Sequence, residues 1–578
     1  MDFRKEAALL IHAAIGINEL TVDEIYALIE TPPDSVMGDF AFPCFRLAKA
    51  LKKAPPVIAG EIAEKCGMTG MSAPTEVKAF AEIKPAAAYV NFFLNKEVFA
   101  KAVVSDIMAK GAAYAESEIG AGKTVVLDYS SPNVAKRMHI GHLYSTVIGA
   151  ALNRIHKALG YKVVGINYLG DWGTQFGKLI VAFKLWSNET EVEQGGVEEL
   201  ERIYVKFHQE VEAQPNLEDD ARAWMLKMQN RDEEALRLWK WFLDISIQEY
   251  DKLYKRLNVP FDLYRGESYY NDKMEAAVED IRAKGLLKES EGAMVVDLED
   301  HKMAPCLILR SDGGTLYPTR DITAALDRME SFNFDKSLYV TDMRQSLHFA
   351  QFFKVLELMG NSWAKNMVHV PYGLLSFDGD NLSTRKGNAL ILQSLFDKAV
   401  EKVLGIIDEK NPDLENKEKV AEMVGTGAIV FSSLYNSRIK DVAFSWDRIF
   451  AFDGETGPYV QYTHARCASV LEKARVEMQS SLDNADLSLL NDKLSFEVIK
   501  LLYHFPQKLI EAAEKLEPFI ISRAVMEIVA AFNRFYHDNQ ILKAEDNVRK
   551  ARLCLVKCVK DVVAKGLELV GVSAPERM

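Results

Sequence analysis

The chain has 578 residues, too many for one hydrophobic core, so several domains are expected. Apolar residues make up 48% and charged residues 26%, a globular balance that excludes wholesale disorder. A formal charge of -13 excludes non-specific nucleic-acid binding by the surface as a whole, while a local basic face that takes one structured RNA stays open.

The first segment, 1–115, is expected to form a small α+β domain, with helical pattern at its start, PPVIAGEIAEKC next and then the β-rich run AAAYVNFFL. A glycine-rich stretch from Gly111 to Gly122 reads as a linker. Thr124 to Tyr129 (TVVLDY) is a β-branched run of strand length, ended by SSPN. Leu143, Val147, Ala151, Ile155 and Leu159 then recur at helical spacing, widened by Ile148 and Leu152, with Gly160 where a C-terminal cap belongs. Tyr161 to Tyr168 returns to strand pattern. Strand, loop, helix and strand in this order define a doubly wound, Rossmann-like α/β unit, expected over 120–385. Residues 189–257 are charged, helix-rich and free of β-branched runs, and read as a helical insertion on that unit. MVVDL (from Met294), CLILR (from Cys306) and SLYVT (from Ser337) are strand candidates that continue the α/β body. A connecting helical segment, 386–455, leads to an all-α bundle over 456–578.

The six cysteines have neither zinc nor disulfide spacing and are expected to be buried thiols in a reducing compartment. No apolar run is long enough to span a membrane and no cleavage pattern follows the N-terminus, so a cytoplasmic protein without a membrane partner is expected.

The stretch SSPNVAKRMHIGH, Ser130 to His142, lies between a strand and the amino end of a helix, where free N–H groups and the helix dipole attract an anion. Gly141 has no side chain to hold a nucleotide off the backbone, and His139 and His142 share the first helical turn, so both rings can reach one ligand. On their own, two such histidines are equally surface residues. A second stretch, NLSTRKGN from Asn381 to Asn388, is a polar, basic loop in which Ser383, Arg385 and Lys386 are able to close over a triphosphate.

Together these stretches resemble the two signature motifs of class I aminoacyl-tRNA synthetases, and the surrounding blocks resemble the arginyl-tRNA synthetases. GDFAFPCFRLAK, SSPNVAKRMHIGHLYST, GDWGTQFG, SDGGTLYPTRDI, LSTRKGN, TGPYVQYTHAR, FNRFY and the terminal APERM follow the family's order from end to end. The resemblance implies ATP-dependent ligation of arginine to tRNA(Arg) through an arginyl-adenylate, with AMP and pyrophosphate released, Mg2+ accompanying ATP, no zinc, and a monomer. It implies Lys136, His139, His142 and Arg385 as catalytic residues, and His139, Gly141, His142, Ser383, Arg385 and Lys386 as the ATP site. The usual Lys-Met-Ser-Lys-Ser motif is replaced here by Asn381, Leu382, Ser383, Thr384 and Arg385, so both of its lysines are missing, and the resemblance implies that Lys136 compensates.

An arginine substrate presents a flat guanidinium that pairs best with carboxylates around its fork. By resemblance these are Asp128 and Asp321, with Tyr317 against the guanidinium and Asn133 and Gln345 at the α-amino and carboxylate end. Taken singly, Asp128 reads as well as a strand-end cap, Asp321 as a helix N-terminal acid, Tyr317 as a strand aromatic and Gln345 as a loop amide. His348 is a lesser candidate. For tRNA, the resemblance implies Tyr89 and Asn91 in the N-terminal domain as recognising the elbow, and Tyr536 and Met578 as contacting the anticodon. Two other readings stand beside this one: a different class I synthetase or adenylyl-transfer enzyme, separated by exchange assays over all amino acids, and a non-catalytic tRNA-binding relative, separated by aminoacylation.

Overall fold

The computed structural model describes residues 2–16, 20–69, 79–377, 390–451, 453–474 and 485–578, and its contacts divide the chain into two compact units. The first comprises Met1–Tyr114, Arg466–Phe505 and Glu527–Val562; the second comprises Ala115–Ala465, Pro506–Met526 and Val563–Met578.

In the first unit the helix Phe3–Ile15 starts at Asp2, whose carboxylate accepts from the Lys5 N–H, and Val22–Leu28 starts with a capping box of Thr21 and Glu24. Strands β1 (Phe40–Pro43), β2 (Phe80–Ala86) and β3 (Tyr89–Leu94) form an antiparallel sheet of order β1-β3-β2. The apolar run expected to be β-rich therefore supplies the central strand. Phe3, Phe99 and Tyr503 meet edge to face, with ring centroids 5.1 Å (Phe3–Phe99) and 5.2 Å (Phe99–Tyr503) apart, so residues from the two ends of the chain share one core.

The second unit opens with β4 (Thr124–Asp128), β5 (Lys162–Asn167) and β6 (Leu263–Tyr264). Next come β7 (Leu287–Ser290), β8 (Ala293–Val296) and β9 (Cys306–Leu309), followed by β10 (Lys336–Asp342) and β11 (Met367–Tyr372). A parallel sheet of order β11-β10-β4-β5-β6 results. From β4 the chain builds outward through β5 and β6, then returns to add β10 and β11 on the other side. The strand order thus reverses between β4 and β10, the place where open α/β sheets bind ligands at their carboxyl ends. Val125, Val126 and Leu127 are fully buried, as a central parallel strand covered on both faces requires. One face packs on Ile281, Ile322, Phe352 and Val355.

Of the three strand candidates assigned to the body, only SLYVT joins this sheet. MVVDL and CLILR supply β8 and β9 of a separate antiparallel sheet with β7. The reason is local: Glu291 and Gly292 turn the chain with φ of 52° and 78°, a tight hairpin that forces antiparallel pairing, whereas a parallel neighbour needs a long crossover. The helical insertion is present as Glu189–Glu210, Asn216–Gln229 and Glu233–Arg256. The C-terminal region is helical in Gly457–Lys473, Lys493–Lys515, Phe519–Asp538 and Asp546–Leu569. All six cysteines are buried free thiols. Among the described residues no helix is long and apolar enough to cross a membrane.

Candidate active site

The loop that leaves β4 is held open by hydrogen bonds from its neighbours. Ser130, Ser131 and Ala135 adopt φ of 70°, 50° and 62°, conformations that cost energy for residues with a Cβ and persist only where the surroundings enforce them. The enforcing groups are identifiable. The Ser130 N–H donates to Ser145 Oγ at 2.9 Å, and Ser130 Oγ lies 2.8 Å from the Tyr254 hydroxyl. The Ala135 N–H donates to Ser246 Oγ at 3.0 Å, and the Tyr250 hydroxyl lies 2.8 and 2.7 Å from the carbonyls of Asn133 and Lys136. Ser246, Tyr250 and Tyr254 all stand on the last helix of the insertion, so the insertion supports the loop it interrupts the sheet to reach.

His139 is the N-cap of the helix Ile140–Ala158, and His142 is its third residue. Their rings lie 4.0 Å apart between centroids and close a capping box: the Gly141 N–H donates to His139 Nδ1 at 3.1 Å, and the His139 N–H donates to His142 Nδ1 at 3.2 Å. A Cβ at Gly141 would sit 2.8 Å from the His139 ring, so the glycine is needed for this packing. Burial lowers the His139 imidazole below its ordinary range and, with the charge of His139 close by, pushes His142 down to about 3. Both rings are therefore neutral at physiological pH, and because each Nδ1 accepts a backbone N–H, each Nε2 carries the proton. The site thus offers two imidazole N–H donors.

Lys136 sits beside them, its ammonium 5.0 Å from the Tyr204 ring centroid. Arg137 turns to the insertion, with Nε 2.5 Å from Glu201 and Nη1 3.1 Å from Glu198. Ser383, Arg385 and Lys386 lie outside the described residues. The residues that follow them are placed: Ile391 bridges His139, the Ile140 N–H donates to the Leu390 carbonyl at 3.1 Å, and the Leu392 N–H donates to the Met138 carbonyl at 2.9 Å. Residues 390–392, which follow the second signature stretch in the chain, are thereby tied to the first.

The acidic side is organised around Tyr168, whose phenol is pushed up by burial and by Asp321 and Glu267. Asp321, in the first turns of the helix Tyr317–Phe332, has Oδ2 2.6 Å from His348 Nε2. Asp128 is 4% exposed and already paired: its Oδ2 accepts from Arg328 Nη2 at 2.6 Å and its Oδ1 from Ser131 Oγ at 2.9 Å. Glu267 stands 3.2 Å from Arg320. Burial pushes its carboxyl up to about 7 against the pull of Arg320, and Asp171 and Asp321 add to the rise. Asp171 accepts from the Ser268 N–H and hydroxyl at 2.8 and 2.7 Å. Tyr317 is 68% exposed, and Asn133 and Gln345 are exposed at the carboxyl ends of β4 and β10. Glu267 and the Arg328 partner of Asp128 were not singled out in the sequence. GESYY has no periodicity to mark it, and Arg328 reads as one more helical charge.

In the first unit Tyr89 and Asn91 lie on β3, facing the same side; Tyr89 packs edge-on to Phe45 at 5.7 Å, and Asn91 is buried with no hydrogen-bond partner for its Oδ1 among the described residues. Tyr536 is 36% exposed, with the Arg466 guanidinium 5.0 Å over its ring. In the second unit the C-terminal tail is anchored: Gln461 Nε2 donates to the Ser573 carbonyl at 2.8 Å, His464 Nδ1 lies 2.9 Å from the Pro575 carbonyl, and Asn411 Nδ2 donates to the Met578 carbonyl at 3.4 Å.

Comparison with known proteins places this geometry in context. The family model described as "tRNA synthetases class I (R), catalytic domain" matches residues 103–446, "DALR anticodon binding domain" matches 460–578 and "Arginyl tRNA synthetase N terminal domain" matches 5–94. The chain is 50% identical over 578 residues to an arginine–tRNA ligase of Alkaliphilus metalliredigens, covering 100% of both chains. It is 49% identical over 562 residues to that of Clostridioides difficile, covering 97% of each. Among solved structures, the Thermus thermophilus arginyl-tRNA synthetase aligns with a TM-score of 0.80 at 25% identity over 100% of both chains. The Plasmodium falciparum structure, at 21% identity and a TM-score of 0.80, shares the fold over 100% of this chain and 99% of that one.

Proposed function

The chain belongs to the arginyl-tRNA synthetase family and charges tRNA(Arg) with arginine in an ATP-dependent reaction for translation; on that premise, we propose how its residues divide the work. The single observation that carries the assignment is the pair of imidazoles at the head of the helix Ile140–Ala158 whose Nδ1 atoms both accept backbone N–H groups, which leaves each Nε2 for a ligand where the strand order reverses.

ATP lies with its phosphates against the first turn of Ile140–Ala158, where Gly141 permits close approach and His139 and His142 donate hydrogen bonds to phosphate oxygens. The arginine carboxylate attacks the α-phosphorus in line, forming arginyl-adenylate and releasing pyrophosphate; the terminal ribose hydroxyl of tRNA then takes the arginyl group and AMP leaves. No side chain forms a covalent bond. The gain comes from positioning and from charge spread over the five-coordinate phosphorus, met by Lys136 and by Ser383, Arg385 and Lys386 of the second motif. The lining groups are N–H donors and cations, which suit phosphate oxygens, so the Mg2+ that travels with ATP belongs to the nucleotide substrate.

The guanidinium of arginine lies between Asp321 and Glu267, with Tyr317 against its face. Among the described residues Asp321 pairs with His348, at 2.6 Å, and Glu267 pairs with Arg320 at 3.2 Å, which leaves each carboxylate with acceptor capacity for a guanidinium. Asp128 contributes at the same end through Arg328 and Ser131, while Asn133 and Gln345 hold the α-amino and carboxylate end. Tyr89, Asn91, Tyr536 and Met578 contact tRNA, and the domains are those bounded by 1–115, 120–385, 386–455 and 456–578. The protein acts as a cytoplasmic monomer.

Charging purified tRNA with labelled arginine, with and without ATP, tests the activity directly. The site is tested by Asp321→Asn, which raises the arginine KM about ten- to a hundredfold, the worth of a charge-assisted hydrogen bond, and leaves the ATP KM near its parental value. Equal effects on both substrates reject the placement of Asp321.

A further inference from the structure

Lys136 and Arg137 are adjacent cations with opposite fates. Arg137 takes the insertion carboxylates Glu198 and Glu201, at 3.1 and 2.5 Å. Among the described residues no carboxylate lies within ion-pair distance of the Lys136 ammonium, which rests instead 5.0 Å from the ring centroid of Tyr204 on the insertion helix Glu189–Glu210. The two side chains share a small cavity with Ala135, Gln175, Phe176 and Leu179. The choice of partner has a physical consequence. A carboxylate would neutralise the lysine, and that ion pair would have to break before a phosphate gained the charge. An aromatic face holds a cation more weakly, by its quadrupole, and gives it up at small cost.

We propose that Tyr204 is a positioning residue for Lys136: its ring parks the ammonium as an unneutralised cation beside the imidazoles, ready for the transferring phosphates of ATP. The proposal rests on the reading above in which Lys136 serves those phosphates. Burial lowers the lysine amine, and Glu201 on the same insertion helix acts against that. The insertion, rather than the catalytic loop alone, then decides where this charge stands.

The test is arginine-dependent ATP–pyrophosphate exchange with tRNA present, using the full chain carrying Lys136→Ala, Tyr204→Phe, Tyr204→Leu, Tyr204→Met and the Tyr204→Leu/Lys136→Ala pair. Phenylalanine keeps the π face, so Tyr204→Phe retains kcat within about twofold, while Tyr204→Leu and Tyr204→Met lower it about tenfold, the order expected for losing one partly buried cation–π contact. The arginine KM and the melting temperature stay near parental values. In the Lys136→Ala background, Tyr204→Leu has no further effect, because the residue it acts through is gone. Parental kcat in both Tyr204→Leu and Tyr204→Met, or a loss that multiplies undiminished onto Lys136→Ala, overturns the proposal. Parental kcat in Lys136→Ala alone instead defeats the assignment of Lys136, and the proposal with it.

Discussion

Each imidazole at the head of the helix Ile140–Ala158 has two nitrogens with separate duties: Nδ1 closes the capping box and Nε2–H is left for a ligand. A substitution that keeps one duty and removes the other separates them. Asparagine places an acceptor near the Nδ1 position, so His142→Asn retains the cap but lacks the outer donor, and kcat for adenylate formation falls about 10²-fold with melting unchanged. His142→Ala loses both and is also destabilised by about 1 kcal/mol in urea unfolding. Linkage gives a second check. Burial holds the His142 imidazole down to about 3 in the folded chain, below the 6.5 of an ordinary histidine, so the unfolded state binds more protons between those pH values. Its contribution to stability is complete above pH 6.5 and declines as pH falls from there towards 3, whereas the exchange rate shows no acid limb near 6.5 from this ring. Glu267 makes the opposite kind of prediction, through binding. Its carboxyl is pushed up to about 7, and only the ionised form pairs with a guanidinium, so the arginine KM falls as pH rises through about 7. Glu267→Gln flattens that profile; an unchanged pH dependence of the arginine KM removes Glu267 from the site.

At the level of elements, Asp128 and Arg328 tie the end of β4 to the helix Tyr317–Phe332 by an ion pair in which Arg328 is 1% exposed. Removing one charge leaves the other buried and unpaired, so Asp128→Asn lowers unfolding stability by about 3–5 kcal/mol, read from denaturant titration. A stable Asp128→Asn variant with a raised arginine KM would instead mean that Asp128 meets the substrate directly. This pair marks the limit of what the sequence disclosed. TVVLDY, the four-residue recurrence from Leu143 and the strand from Tyr161 were legible because a strand buried on both faces shows as a short continuous apolar run and an amphipathic helix imposes a period on its own residues. MVVDL and CLILR have the same strand composition as members of the parallel sheet, so composition did not separate them; the cue that does is the Glu291–Gly292 turn just before β8, which sets antiparallel pairing. Likewise Tyr250, Tyr254 and Ser246 read as an ordinary helix face, because nothing in their spacing records that a loop from over a hundred residues earlier hangs its hydrogen bonds on them.

For the whole molecule, the unit that contains β1 to β3 also contains Arg466–Phe505 and Glu527–Val562, so its core is assembled from both ends of the sequence. Such a core makes a truncation of residues 1 to 110 a poor probe of tRNA recognition: it removes Phe3 and Phe99 from Tyr503, and loss of tRNA binding would follow from damaged C-terminal helices as readily as from a lost contact. A point substitution avoids this. Asn91 is buried in β3, and among the described residues nothing donates to its Oδ1, a situation that costs stability and is relieved when a donor arrives. Asn91→Ala deletes the orphan acceptor, so urea unfolding shows stability unchanged or higher by up to about 1 kcal/mol. If the amide is kept for a base of tRNA, the same variant raises the tRNA KM about tenfold while the KM values for arginine and ATP hold. A variant that is destabilised and keeps its tRNA KM would show instead that the Asn91 side chain serves the sheet.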